Sequence, residues 1–320
     1  LNKALVKKRL SDFFENEMPK VTEVKQEDMP KSFVKIKGDL PQRAELIINE
    51  LVRLLPEDEE KFGEEKTVIT ICGGSGVGKT SIAAIISYVL KQVGIGCYTL
   101  SGDHYPRRIP EYNDAERLWL FRENGMRELA AEGLYSKATA AAINRLQKAN
   151  EDANPKNIDT LPELKTYLKG GRKGLEAYLG TPHEQNFDEV NKIISDFKNG
   201  SEKLCLRRMG RKIDEISYEI TDFKNVNILL IEWTHGFSDY LKGIDMHVLL
   251  NSTPAETLAF RKARNRDGNI DSPFTSLVLD IEQRLLINQA SKADIILSRD
   301  GKLISHDEYD RLMEEGGLND

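Results

Sequence analysis

An α/β fold, a doubly wound and mostly parallel sheet with a helical N-terminal extension and a helical insertion, follows from three features of the sequence. Five short apolar runs rich in β-branched residues alternate with helix-favouring stretches. A glycine-rich turn joins the first run to a helix, residues 1–66 look helical, and residues 126–180 lack strand signals. At 320 residues, 39% apolar and 31% charged, the chain can bury a substantial core.

The extension comes first. Leu40, Ala44, Ile47, Ile48, Leu51 and Leu55 recur at helical spacing and Pro56 closes the run, so residues 1–60 are expected to be a helical appendage packed on the main domain. That domain is expected over 61–310. It begins with the strand Thr67–Cys72 (TVITIC), the glycine turn and a helix over Ser81–Val93, and Cys97–Leu100 is the second strand. Asn113-x-x-Glu116 reads as a helix start and Gly125 as its stop. Residues 126–180 form the Lys-rich helical insertion, with Lys169–Lys173 (KGGRK) as a surface turn between its segments. Asn227–Ile231, Met246–Leu250 and Asp294–Leu297 are the remaining strands. Thr253-Pro254-Ala255-Glu256 combines an N-cap, a first-turn proline and a capping-box Glu, and residues 311–320 are a C-terminal tail.

Composition narrows the partners. Net charge is −6 with both signs interspersed, so no basic field argues for nucleic acid. No segment has the length and apolarity of a signal peptide or a membrane span. Cys72, Cys97 and Cys205 have neither disulfide-framework nor zinc spacing. A soluble, cytoplasmic protein is expected, with a homodimer left open.

Gly73-Gly74-Ser75-Gly76-Val77-Gly78-Lys79-Thr80 matches the phosphate-binding P-loop in full and stands between a strand and a helix opened by Ser81. Glycines let successive amides close around phosphate oxygens, and the helix start adds its positive end. Lys79 neutralises the β- and γ-phosphates, and the Thr80 hydroxyl completes a magnesium shell. ATP and Mg²⁺ are therefore the expected cofactors. The second strand runs into Ser101-Gly102-Asp103-His104-Tyr105, at the strand end that faces the ligand crevice. A carboxylate there can take the proton of an attacking hydroxyl or merely cap a turn, and position alone does not separate the two.

These elements resemble the uridine kinase and phosphoribulokinase family. The likeness continues through Thr181–Asp188 (TPHEQNFD), through Ile228–Glu232 followed by Trp233-Thr234-His235-Gly236-Phe237, and through Arg261–Asp267 (RKARNRD) to Ala293–Leu297. It covers residues 67–125 and 181–300. The resemblance implies an ATP-dependent phosphotransferase with an alcohol acceptor. Asp103 would be its catalytic base, Glu232 a carboxylate beside magnesium with Thr80 and Asp103, and Arg264 and Arg266 a lid over the transferring phosphoryl group. Tyr105, Tyr178 and His183 would lie on the acceptor side.

Two departures put uridine in doubt: Thr181-Pro182-His183 replaces Asp-His-Pro, and Leu206–Arg211 (LRRMGR) replaces a Tyr-Asp-Phe-x-x-His segment. Arg107–Arg108 and Arg207–Arg208, with Arg211, suggest an anionic acceptor such as a sugar phosphate, a hydroxy acid or a nucleotide-like sulfate. Surface ion pairs to Glu111 and Glu116 are the bland alternative for the first pair. Trp119 and Trp233 are expected in the core. No Asn-Lys-x-Asp element of a GTPase switch occurs. The rival functions are adenylylsulfate kinase-like or glycerate kinase-like activity, or an ATP-binding regulator.

Overall fold

The structure, a computed structural model, describes residues 3–28, 32–54, 65–253, 256–257 and 272–315. The extension comprises helix α1 (Lys3–Asn16), strands β1 (Glu23–Lys25) and β2 (Phe33–Lys35), and helix α2 (Leu40–Leu54). It is therefore not wholly helical. β1 and β2 pair antiparallel with Val24 opposite Val34, and strands of three residues are too short to show an alternating pattern in sequence.

The central sheet contains β3 (Thr67–Gly73) and β4 (Cys97–Ser101). Beyond β3, helix α3 (Lys79–Gln92) crosses the sheet, and α4 (Pro110–Ala131), α5 (Lys137–Lys148), α6 (Leu164–Glu176) and α7 (Phe187–Lys198) follow β4. A ribbon of β5 (Lys203–Met209) and β6 (Ile216–Asp222) precedes β7 (Ile228–Glu232), β8 (Met246–Leu250), helix α8 (Pro273–Gln289), β9 (Ile295–Leu297) and helix α9 (His306–Glu315). The sheet has five strands in the order β4-β7-β3-β8-β9, every pairing parallel. All five strands expected from sequence are present.

Alternation along β3 divides the core. Ile69 and Ile71 face the layer made by α1, α2 and α3, meeting Leu10, Ile47, Ile48 and Ile86. Val68 faces the opposite layer, with Leu229 and Ile231 against Phe187, Val190, Ile194 and Phe197. With both faces covered, the strands are almost continuously buried, as a parallel sheet requires.

Four further expectations are corrected. α4 runs through Gly125: a Cβ there would stand 2.6 Å from the Tyr167 ring, so this glycine allows α6 to approach and does not stop the helix. The KGGRK segment is interior to α6, where Cβ atoms on Gly170 and Gly171 would come within 2.4 Å of Glu128 and the Phe121 ring. It is a helix–helix contact, not a surface turn. The β5–β6 ribbon arises where no strand was expected, because Arg207 and Arg208 interrupt the apolar pattern of β5 while β6 is almost wholly exposed. Residues 311–315 are no free tail, since α9 buries Tyr309 and Met313. Among the described residues, no helix is long and apolar enough to cross a membrane.

Candidate phosphotransfer site

The turn after β3 has the backbone its glycines were expected to permit. Gly73 has φ +151°, and a Cβ on it would come within 2.5 Å of the Leu250 carbonyl oxygen on β8. Gly78, the residue before α3, has φ +100°, which side-chain-bearing residues rarely adopt. The loop therefore closes tightly over the start of α3, where free amides and the helix dipole favour an anion. Lys79 Nζ donates to the Gly73 and Gly74 carbonyls at 2.9 and 3.0 Å, holding the ammonium at the mouth of the loop.

Two cavities open on this loop and share Gly76 and Lys79. The larger, about 1410 Å³, includes Thr80, Ser81 and the ends of β8 and β9 at Asn251 and Ser298. The smaller, about 660 Å³, includes Ser75, Asp103, Arg117, His235 and Glu282. Asp103 follows β4 on a single 3₁₀ turn and is exposed into this second cavity with Lys79. Trp233 fixes that turn: a Cβ on Gly102 would lie 2.0 Å from the indole Cγ.

At the end of neighbouring β7, the buried Glu232 accepts a hydrogen bond from the Ser101 hydroxyl at 2.6 Å. Burial pushes its carboxyl up to about 7, the charge of Asp103 adds to the rise, and Lys79 and Ser101 oppose it. Thus Lys79 at the start of α3, Asp103 on the turn after β4 and Glu232 at the end of β7 are brought into one electrostatic cluster.

A second cluster had not been read from the sequence. Glu184, with no exposed surface, accepts from Arg117 Nε at 2.7 Å, Asn113 Nδ2 at 3.1 Å and the Gly180 N–H at 2.7 Å. His235 Nε2 lies 3.9 Å away, and Arg117 Nη2 reaches Glu282 at 3.6 Å. Burial alone would raise the Glu184 carboxyl, but Arg117, His235 and the Gly180 amide outweigh it and hold it at about 2. Burial raises Glu282, and Arg117 and His235 oppose that rise. Nothing in the spacing of Arg117 marks it. Glu184 stands beside His183 in the stretch that resembles the family, but the resemblance drew attention to the histidine.

The other expected acceptor residues lie elsewhere. Arg107 donates to the Pro182 carbonyl and to Asp188, the latter at 3.3 Å. Arg108 donates to the Tyr178 hydroxyl at 3.1 Å and the His183 carbonyl at 3.3 Å, and it pairs with Glu116 at 3.5 Å. Tyr178 in turn donates to Asn113 Oδ1 at 2.8 Å. Arg207 is 8% exposed, sits over the Tyr105 ring and donates to the Pro106 carbonyl at 3.2 Å. Arg208 binds the Tyr98 hydroxyl at 2.8 Å and Asp28 at 3.4 Å. Both arginine pairs thus tie segments together behind the cavity, whereas Arg211 lies on its wall. The His183 side chain is exposed outside it. Trp119 corrects an expectation at 54% exposed; Trp233 is buried as expected.

Arg264 and Arg266 lie outside the described residues, as does most of the helix expected after Thr253. Its capping box is nonetheless formed, Thr253 N donating to Glu256 at 2.7 Å and Glu256 N to Thr253 Oγ1 at 3.3 Å. No residue of 126–180 lines the smaller cavity. That insertion packs behind α4 and α8, through Tyr167 and Leu175 against Phe121 and Val278.

No family model matches the chain. Over 240 residues it is 38% identical to the bifunctional alpha-galactosidase/sucrose kinase AgaSK of Mediterraneibacter gnavus. The match takes in 75% of this chain, which spans 21% of the length of that relative. Among solved structures, a putative fructose transport system kinase from Silicibacter sp. TM1040 is 13% identical, with a TM-score of 0.42 over 75% of this chain and 88% of that one. A possible uridine kinase from Bacillus stearothermophilus is 15% identical, with a TM-score of 0.38 over 81% of this chain and 99% of that one. The chain is thus an α/β protein with a formed P-loop, similar over three quarters of its length to a part of a bifunctional alpha-galactosidase/sucrose kinase.

Proposed function

We propose that the protein is an ATP-dependent kinase that phosphorylates a hydroxyl of an uncharged sugar. The observation that carries this reading is the placement of Asp103 and Lys79 in one cavity that opens on the P-loop. ATP would place its triphosphate in the loop and its γ-phosphorus toward that cavity. The acceptor oxygen attacks the γ-phosphorus, the bond from phosphorus to the β–γ bridging oxygen breaks, ADP leaves, and the hydroxyl proton passes to Asp103. Lys79 offsets the charge on the phosphates, and the Arg117–Glu184–Glu282 cluster stiffens the wall that orients the sugar.

The donor set suits magnesium, which takes a hydroxyl and one or two carboxylates beside substrate phosphates. Thr80, Glu232 and Asp103 supply those groups, and a Glu232 raised first by burial and further by the Asp103 charge is an environment that a cation relieves. When bound, Mg²⁺ would neutralise phosphate charge. Arg264 and Arg266 are proposed to close over the same phosphates.

An uncharged acceptor is favoured over an anionic one because Arg107, Arg108, Arg207 and Arg208 are engaged by protein groups, which leaves Arg211 as the one arginine of that set on the cavity wall. Arg117 is likewise matched by Glu184 and Glu282. The sucrose kinase activity named for the relative points to sucrose or a similar sugar. The test is ADP formation across sucrose, other sugars, sugar phosphates and hydroxy acids. A sugar should stimulate it, Lys79→Ala should abolish it, and Asp103→Asn should lower kcat by about 10²–10⁴-fold while sparing ATP affinity. ATP binding with no acceptor-dependent ADP would instead leave a nucleotide-binding regulator.

A further inference from the structure

The N-terminal extension reaches the larger cavity, which Asp103 does not line. Ser32–Lys35, Lys37 and Arg43 form one wall, and Asn251, Thr253 and Ser298–Asp300 at the ends of β8 and β9 form another. The P-loop residues Gly76–Ser81 lie between them. Strand alternation places the side chains of β2: Val34 packs toward the core opposite Val24, so Phe33 and Lys35 share the other face. Phe33 is 57% exposed. An exposed aromatic ring at the edge of a nucleotide-sized cavity is a sequence-tolerant platform for a flat base. Deeper in the wall, Arg43 on α2 is only 3% exposed, and its Nε and Nη2 have no hydrogen-bond partner among the described residues. Burying such donors without acceptors is costly, and a ligand rich in acceptor atoms would offset that cost.

We propose that the β1–β2 ribbon and α2 complete the nucleoside subsite, with Phe33 covering the base of a nucleoside triphosphate whose phosphates occupy the P-loop. This assignment rests on the kinase reading and gives the extension a binding role. It places the nucleoside and the acceptor in two cavities that meet at Gly76 and Lys79. The extension would then couple to nucleotide occupancy, because the same segment that carries Phe33 also supplies Val24 and Ile47 to the main core.

Titration calorimetry with ATP and with inorganic tripolyphosphate separates this idea from the reading beneath it. Tripolyphosphate engages the P-loop but has no base. Phe33→Ala should weaken ATP about tenfold and leave tripolyphosphate unchanged, and Phe33→Trp should restore ATP binding. Because Phe33 is exposed, neither change removes a core contact. ATP affinity unaltered in Phe33→Ala, or ATP and tripolyphosphate weakened by the same factor, overturns the assignment. If wild-type protein binds neither ligand, the kinase reading falls and the assignment falls with it.

Discussion

The Glu184–Arg117 pair offers a quantitative test of how the acceptor wall is held. Glu184 has no exposed surface, so solvent does not screen its interactions. Its carboxyl is held at about 2, against an ordinary glutamate value of 4.5. At about 1.4 kcal/mol per pH unit, that preference for the ionised form is worth roughly 3 kcal/mol of stability near pH 7. A depressed folded-state pKa means the contribution is complete above the unfolded value and is lost as pH falls through 4.5 toward 2. Between pH 6 and pH 3.5 the loss should be about 1.4 kcal/mol, the rest disappearing at lower pH. The perturbation is Glu184→Gln, which keeps the shape and removes the titration. Urea unfolding at pH 7, 6, 5, 4 and 3.5 should show the variant less stable at neutral pH and less steeply destabilised by acid than wild type. Arg117→Met should be the harsher change, about 3–5 kcal/mol, because it leaves the buried carboxylate without its main partner. Wild type and Glu184→Gln losing stability in parallel on acidification would refute the reasoning.

Three other outcomes are expected. Gly102→Ala should destabilise the turn that carries Asp103 by about 1–3 kcal/mol, because the new methyl meets the Trp233 ring; thermal unfolding and kcat should fall together. Asp28 accepts from the Ser101 N–H and, at 2.9 Å, from the Tyr98 hydroxyl, while burial raises its carboxyl and Arg208 opposes the rise. Asp28→Ala should cost about 2–4 kcal/mol in urea unfolding by stranding Arg208 and freeing the end of β4. Arg107→Ala, whose partners are Pro182 and the exposed Asp188, should leave the KM for the sugar within about twofold, since exposed ion pairs contribute little; a large rise in KM would return Arg107 to the acceptor site.

The legible parts of the fold were those set by local pattern. Five buried strands in a parallel sheet read as continuous apolar runs, and each was found within a residue or two of its expected place. The P-loop was legible because its glycines serve a local backbone demand that no other residue meets at Gly73 and Gly78. Asp103 could be expected at the crevice because parallel strands deliver their carboxyl ends to one rim, whereas Glu232 was drawn in by the family resemblance. Elsewhere the same cue had two meanings. Gly125 and Gly170 look like helix stops, yet they are the places where α4 and α6 touch, and only the neighbouring helix distinguishes the cases. Arginine pairs misled in the same manner: a guanidinium recognises a Tyr hydroxyl or a backbone carbonyl as readily as a ligand phosphate.

What the sequence by itself determined was the alternating α/β order, the phosphate loop and the position of Asp103 just past a strand end, because each depends on residues close together in the chain. Tertiary structure alone decided that Arg117 meets Glu184 and Glu282 across separations of 67 and 165 residues, and that Phe33 of the extension lies against the P-loop cavity. Such contacts depend on how helices and ribbons pack against the sheet. Packing is a sum of many weak, non-local terms that no short stretch of sequence contains.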